Sequence, residues 1–531
     1  MTLKGLMQDS QLNIGSIFDR LRTIYSDSQI ISPERRMSYG EFAERVLRLA
    51  TVLRDLGVGP GDRVGSFAFN SARHLELYYA VPLIGAVLHT INVRLSSEQI
   101  VYIVDHAEDA VVFYDGVVSE RIEELAPQFS TVRRLIAMGE GPADLGHDDQ
   151  DSLIAGASPA VDLPDVDENA ACGLCYTSGT TGMPKGVLYS HRAQWLHAMS
   201  FNMADHMGLT QMDRVLPVVP LFHAAGWGIP YAAPFTGADL VFHGPDNSPG
   251  TVGKVIDEEG VTIAAGVPTV WKELLPLLRS GDVKAASLNR LMVGGAAVPR
   301  SLIEAYEGFD VDLIQAWGMT ETSPLVCLSR PRRHHRGLSN DELLDVRAKT
   351  GTIFSGIEMR ICASDGSVVE WDGKQVGEIE VRGPWIAAAY YEDETSDDKF
   401  HDGWLRTGDM ATVEPDGYFK IVDRAKDLVK SGGEWISSVD LEGALLAHPQ
   451  VRDAAVVGVP SKKWDERPVA IIVADGAGIP TLESLRDFLA PSFPKWWLPD
   501  DVVIVEEIPK TSVGKIDKKT IRVQLADVEL P

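Results

Sequence analysis

The chain has little cysteine, a deficit of positive charge and no long apolar run, and each shortage narrows what it can be. Only four cysteines occur among 531 residues, at 172, 175, 327 and 362, too few for a disulfide framework and in keeping with a reducing, cytoplasmic setting. No stretch reaches the about 18 uninterrupted apolar residues that a membrane-spanning helix needs. Residues 1–15 carry Lys4 but no continuous apolar segment of signal-peptide length, so neither secretion nor a membrane span is expected. Lys plus Arg number 49 against 76 Asp plus Glu, a formal charge of −27, which repels a phosphate backbone over most of the surface. Nucleic acid is therefore not an expected partner. An anionic substrate must instead be met by a local cluster of donors.

What is present is an ordinary globular composition, 45% apolar and 24% charged, long enough for more than one hydrophobic core. Residues 39–56 and 72–85 carry helical periodicity, and 63–69 and 110–114 read as strands. Alternation of this kind predicts a parallel sheet covered by helices. The pattern recurs over 214–293, with strand-like runs at 215–219, 239–242 and 262–264, which predicts a second α/β half. Beyond about residue 345 short strands punctuated by Gly and Asp, as at 377–383, predict a smaller β subdomain ending near Ile421. From Asp423 onward a charged turn, strands at 454–459 and 469–473 and a helix at 482–489 predict a compact α+β unit. The fold class expected is α/β, a large N-terminal part of two sheet subdomains plus a small β subdomain, followed by a small mobile α+β domain.

The strongest local signal is Tyr176-Thr177-Ser178-Gly179-Thr180-Thr181-Gly182-Met183-Pro184-Lys185-Gly186, which follows a buried strand pattern. Glycines let backbone N–H groups approach oxygens closely, the hydroxyls add donors, and Lys185 adds charge, so the segment reads as a phosphate cradle. A Walker loop needs a second Gly where Pro184 stands, and Gly186 rather than Ser or Thr follows Lys185. Two weaker patterns are set aside. Cys172-Gly173-Leu174-Cys175 spells C-x-x-C, but it lacks a second pair and continues an apolar run, so the cysteines read as small hydrophobes on a buried strand. Arg332, Arg333, His334, His335 and Arg336 form a basic cluster that reads as a solvated loop.

At the phosphate loop the sequence resembles the adenylate-forming superfamily of acyl-CoA synthetases, luciferases and peptide-synthetase adenylation domains. Further motifs follow in the family's order from about Ser38 to Leu525. The resemblance implies an enzyme that uses ATP, Mg²⁺ and coenzyme A to convert a small carboxylic acid, by way of an acyl-adenylate, into its thioester. It is greatest toward medium-chain and fatty-acyl-CoA ligases and 3-methylmercaptopropionate-CoA ligases. The domains it implies are 1–422 for adenylation, 423–427 for the hinge and 428–531 for the mobile part.

Residue by residue, the resemblance places Gly294, Gly295, Ala296 and Ala297 where the family lays adenine and shapes the acyl tunnel. Gln315, Ala316, Trp317, Gly318, Met319, Thr320 and Glu321 resemble the aromatic-Gly-x-Thr-Glu motif, in which Thr320 would bind the α-phosphate and Glu321 would hold magnesium with Thr177. Asp409 would accept the ribose hydroxyls, Arg424 would lie near the ribose, and Lys426 would be the pivot. Ser431, Gly432 and Gly433 resemble the loop that lines the coenzyme A tunnel after the pivot turns, whereas Lys430 and Trp435 would contact nucleotide during adenylation. Lys515, in Pro509-Lys510-Thr511-Ser512-Val513-Gly514-Lys515, matches the catalytic lysine. Related fatty-acyl enzymes also imply a homodimer.

The implied chemistry needs no general base in its first step, because a carboxylate with a pKa of about 4 is already ionised at neutral pH. It needs positive groups where two anions meet, namely Lys185, Lys515 and the loop donors. His223 and Trp227 lie where relatives build the acyl pocket. Amino-acid-activating relatives carry Asp where His223 stands, so an amino acid is disfavoured. The bulk of Trp227 predicts a short or medium aliphatic acid, with 3-methylmercaptopropionate-type acids included by resemblance. The competing readings are an acyl-AMP ligase delivering to a carrier protein, a luciferase-like oxygenase and, from another class, a non-catalytic nucleotide sensor. Asp151-Ser152-Leu153 mimics a carrier attachment site but stands in what reads as a polar linker.

Overall fold

A computed structural model describes residues 3, 5–141, 145–177, 183–393, 396–432, 434–476, 478–511 and 515–525. Helix Tyr39–Asp55 shows how the local sequence acts. Ser38 caps it, with its hydroxyl accepting from Glu41 N and the Glu41 carboxylate accepting from Ser38 N. Phe42, Val46, Leu49 and Leu53 recur at helical spacing and are buried, each contributing about 2 kcal/mol relative to exposure.

Two large sheets result. One has seven strands, in the order Asp148–Asp149, Arg134–Met138, Asp109–Asp115, Arg63–Phe67, Val87–Thr90, Ala171–Tyr176, Gly186–Ser190, parallel except for its last pair. The other has nine and is centred on the parallel strands Arg214–Pro217, Ile263–Gly266, Arg290–Val293 and Asp312–Gly318. Its far edge reaches outside the span 214–293 expected for the second half. Strand Gln29–Ser32 instead lies parallel to Asp239–Val241 of the second sheet, with Ile30 opposite Leu240. The two halves are thereby stitched together at the N-terminal end.

The β subdomain is a five-stranded sheet containing Gly377–Arg382, Trp404–Val413 and Phe419–Arg424. Here a correction is needed. The charged turn expected from Asp423 begins two residues later, because Asp423 and Arg424 complete strand Phe419–Arg424, with Asp423 opposite Met410 and Arg424 opposite Asp409. Strands within 429–504 form a separate sheet with its own two apolar clusters, one around Leu441, Val456 and Leu485 and one around Val457, Ile471 and Ile521. Helix Leu482–Leu489 has the bounds its periodicity predicts. The result is a large N-terminal body and a small C-terminal lobe.

Candidate active site

A cleft of about 2960 Å³ runs between the body and the lobe. On one wall, strand Ala171–Tyr176 delivers Thr177, and the chain returns through Met183, Pro184 and Lys185 into strand Gly186–Ser190. Thr177 N donates to Lys185 O at 2.9 Å, and Lys185 N donates to the Thr177 hydroxyl at 3.1 Å, so the two stems of the phosphate segment are cross-bonded. Ser178, Gly179, Thr180, Thr181 and Gly182 lie outside the described residues. The Lys185 ammonium pairs with Asp393 at 2.8 Å and stands 4.9 Å from the Tyr390 ring centre. Sequence reasoning named neither Asp393 nor Tyr390.

The facing wall comes from the C-terminal ends of parallel strands, where an open α/β sheet presents ligand sites. Gly295, Ala296 and Ala297 are open to the cleft, while Gln315 is buried and its Oε1 accepts from Val298 N at 3.3 Å. Strand Asp312–Gly318 leads through Met319 to a short turn bearing Thr320 and Glu321, both buried. Tyr390 donates its hydroxyl hydrogen bond to Glu321 Oε1 at 2.6 Å, and Tyr189 does the same to the Thr320 carbonyl at 2.8 Å. Asp409, buried on strand Trp404–Val413, accepts from the Trp317 indole N–H at 2.9 Å and pairs with Arg424 Nε at 2.7 Å. Asp409 is the largest reason why the Arg424 guanidinium is held more firmly protonated than usual. These partners fix the carboxylates in place before any ligand arrives.

Lys515 enters from the lobe. A Cβ built on Gly295 would lie 3.6 Å from Lys515 Cε, 3.4 Å from Val267 and 3.7 Å from the Trp227 ring. Burial first and then Arg424 lower the Lys515 pKa, Asp409 and Glu321 oppose them, and the result is about 8. Trp227 is buried, and its Cη2 would stand 3.3 Å from a Cβ on Gly294. It is held by a left-handed turn in which Ala224, Ala225 and Trp227 have φ of 37°, 40° and 50°, a strained geometry for non-glycine residues. His223, at the same wall, has its pKa lowered to about 3 by burial first and then by Lys515 and Arg94. It is neutral at physiological pH and offers no counter-charge to a carboxylate.

Not every expected residue is at the cleft in this arrangement. Lys426 stands in the turn after Arg424, with Ala425 N bonded to Gly408 O at 2.9 Å, and it lines the cleft margin. Lys430 and Trp435 were expected at the nucleotide, yet neither lines the cleft. They face each other across hairpin strands Val429–Ser431 and Glu434–Ile436, the ammonium 5.0 Å from the ring centre, on an outer face of the lobe. Ser431 is buried and accepts from Arg467 at 2.9 Å, and Gly432 packs on Trp464, where a Cβ would come within 2.9 Å of the ring. Gly433 lies outside the described residues. With Lys515 in the cleft, the hairpin is turned away.

The donors suit a magnesium ion. The Glu321 carboxylate and Thr177 hydroxyl both line the cleft and both offer hard oxygen. Cys172 and Cys175 instead sit on strand Ala171–Tyr176 with thiol pKa values raised by burial. The Asp151-Ser152-Leu153 segment is a correction. It belongs to helix Gln150–Gly156 rather than to a linker, and Asp151 pairs with Arg35 at 2.5 Å, with Arg73 at 2.9 Å and with Arg45. In the basic cluster, His335 is buried beside Tyr418 rather than solvated, and His334 pairs with Asp416 at 2.8 Å.

The fold superposes on a crystal structure of an anthranilate CoA ligase in complex with anthranoyl-AMP, with a TM-score of 0.88 and 25% identity over 97% of this chain and 98% of that one. The lysine-bearing lobe set over this cleft, together with that likeness, therefore defines an adenylate-forming ligase. A long-chain-fatty-acid–CoA ligase of Thermus thermophilus is 45% identical over 98% of this chain and 96% of its own length. A 3-methylmercaptopropionyl-CoA ligase of Ruegeria lacuscaerulensis is 41% identical over 98% and 99%. The AMP-binding enzyme family matches residues 20–391, and the AMP-binding enzyme C-terminal domain matches 440–515. The chain belongs to the AMP-binding enzyme family, as an AMP-forming acid–CoA ligase whose reaction uses ATP, Mg²⁺ and coenzyme A.

Proposed function

We propose that the acid is a short- or medium-chain aliphatic acid, with 3-methylmercaptopropionate-type acids included, and that Lys515 is the residue that joins it to ATP. The observation that carries this reading is that Lys515 Cε and the Trp227 ring both border the space over Gly295, 3.6 Å and 3.7 Å from where a Cβ on that glycine would stand. The acid's carboxylate would lie at the ammonium, and its chain would run toward an indole that shortens the pocket. The acids named for the Thermus and Ruegeria relatives support an aliphatic substrate.

In the first step the carboxylate oxygen attacks the α-phosphorus of ATP and pyrophosphate leaves. Lys515 bridges the carboxylate and the α-phosphate, Lys185 moves from Asp393 to the departing phosphates, and Thr320 donates to the α-phosphate. Asp409 accepts the ribose hydroxyls with Arg424 beside it. Glu321 and Thr177 would hold Mg²⁺, which neutralises phosphate charge and orients the leaving group. In the second step the lobe turns at Lys426, withdraws Lys515 and brings Ser431, Gly432 and Gly433 toward a coenzyme A tunnel. The body then spans 1–422, the hinge 423–427 and the mobile domain 428–531. The two separate apolar clusters of the lobe support its movement as a unit.

We further propose a cytoplasmic homodimer, on the strength of the few, buried and unpaired cysteines and of the resemblance to fatty-acyl enzymes. Sedimentation of the purified chain tests the dimer. Pyrophosphate release over a panel of acids, with and without coenzyme A, tests the substrate. Short and medium aliphatic acids should lead, and a maximum with long-chain, aromatic or amino acids would overturn the proposed class.

A further inference from the structure

Asp423, the first residue of the proposed hinge, is paired into the body's β sheet by its backbone and joined to the lobe by its side chain. Its strand is paired into the β subdomain, with Met410 opposite Asp423. Its carboxylate, however, is 2% exposed and turned toward helix Ser438–Leu445 of the lobe, where Oδ2 accepts from Ser438 N at 2.9 Å and from the Ser438 hydroxyl. Lys518 donates to that same hydroxyl and pairs with Glu442 at 2.7 Å. Nearby, the Ser437 hydroxyl donates to Val422 O, and Lys420 pairs with Asp440 at 2.7 Å. Ser438, Glu442 and Lys518 are all residues of the lobe, while Asp423 and, beside it, Lys420 are charged groups that stand on a strand of the body's β sheet.

The turn containing Lys426 separates the two groups in sequence. A rotation there carries Ser438, Glu442 and Lys518 together and leaves Asp423 behind on its strand. Contacts internal to the lobe are the same before and after such a rotation, so they cancel. Contacts that cross the joint exist in one arrangement only and so set its population. The arrangement in which Asp423 meets Ser438 is also the one in which Lys515 lies against Gly295.

We propose that the Asp423–Ser438–Lys518 junction is a latch for the adenylating arrangement, and that Asp423 is a positioning residue acting through the lobe on Lys515. The proposal rests on the reading of Lys426 as the pivot. Opening the latch leaves Lys518 paired with Glu442 inside the lobe and lets water take up the Asp423 carboxylate. Neither lobe has to unfold for the exchange to occur.

The test measures two half-reactions in Asp423→Asn, a replacement of nearly the same shape. These are exchange of labelled pyrophosphate into ATP and thioester formation from supplied acyl-adenylate. The ratio of the two rates should move toward thioester formation by about tenfold or more, since a hydrogen bond to a charged group is lost from one arrangement alone. Ser438→Ala, altered on the other side of the joint, should move the ratio in the same direction and decides the matter if the first variant does not fold. An unchanged ratio in a folded variant, or equal loss of both rates with a lowered melting temperature, overturns the latch. Lys426→Pro separates this from failure of the pivot. If it slows the thioester step selectively while Asp423→Asn leaves the ratio alone, only the latch falls. If it slows both steps equally, the pivot falls and the latch with it.

Discussion

The stem of Lys515 lies across Gly295, with Cε 3.6 Å from where a Cβ would stand. Gly295 has a φ of +83°, a left-handed conformation that favours glycine. A residue of the lobe thus reaches a glycine of the body across the cleft, which ties the proposed chemistry to the position of the lobe.

That environment predicts a pH profile. The free-enzyme Lys515 has its pKa lowered to about 8, chiefly by burial. In the proposed first step the protonated form bridges two oxyanions, so kcat/KM for pyrophosphate release should fall as pH rises through about 8. Lys515→Arg keeps the cation and should move the fall to higher pH. The same fall in both enzymes would assign it to another group.

Trp227→Ala should enlarge the acyl pocket. The lost indole costs about 3–5 kcal/mol of stability if the cavity stays empty. Activity should shift toward longer acids, raising the ratio of kcat/KM for a long over a short acid by about tenfold or more. An unchanged chain-length preference would remove Trp227 from the pocket wall.

Lys426→Pro fixes φ at the proposed pivot and should impair thioester formation more than adenylation, by about tenfold or more. Stopped-flow measurement of each step separately gives the comparison. A selective loss of adenylation would place the pivot elsewhere.

Asp151 predicts an acid-stability effect away from the site. Burial raises its pKa, but Arg35 and Arg73 outweigh that and bring it to about 2. A depressed carboxyl pKa contributes stability that is fully present above the unfolded value of about 4 and is lost as pH falls toward about 2. Asp151→Asn should lose about 1–2 kcal/mol at neutral pH. The gap in melting temperature from the unaltered protein should then close over that acid window. A gap independent of pH would mean that shape rather than charge holds the three arginines.

Much of this was legible in the sequence because short-range rules fix it. Helix Leu482–Leu489 and strand Ala171–Tyr176 follow from periodicity and apolar runs, and Thr177, Lys185, Glu321, Asp409 and Lys515 stand in recognisable local motifs. What escaped was every pairing set by tertiary approach. Tyr390 on Glu321, Asp393 on Lys185, and Gln29–Ser32 beside Asp239–Val241 join residues far apart in the chain. Asp423 looked like a turn residue because it opens the charged run Asp423-Arg424-Ala425-Lys426-Asp427. Its burial depends on Ser438 and Lys518, which local pattern does not connect to it. Lys430 and Trp435 face each other on the lobe's hairpin, and under the proposed rotation their place relative to the cleft would change, which no local pattern encodes.

The division of labour between the two arrangements is tested most directly by Lys515→Ala, assayed for exchange of labelled pyrophosphate into ATP and for thioester formation from supplied acyl-adenylate. Exchange should fall by about a hundredfold or more, while the thioester rate stays within about threefold, because Lys515 has left the site by then. Equal loss of both rates, or exchange that persists, would contradict it.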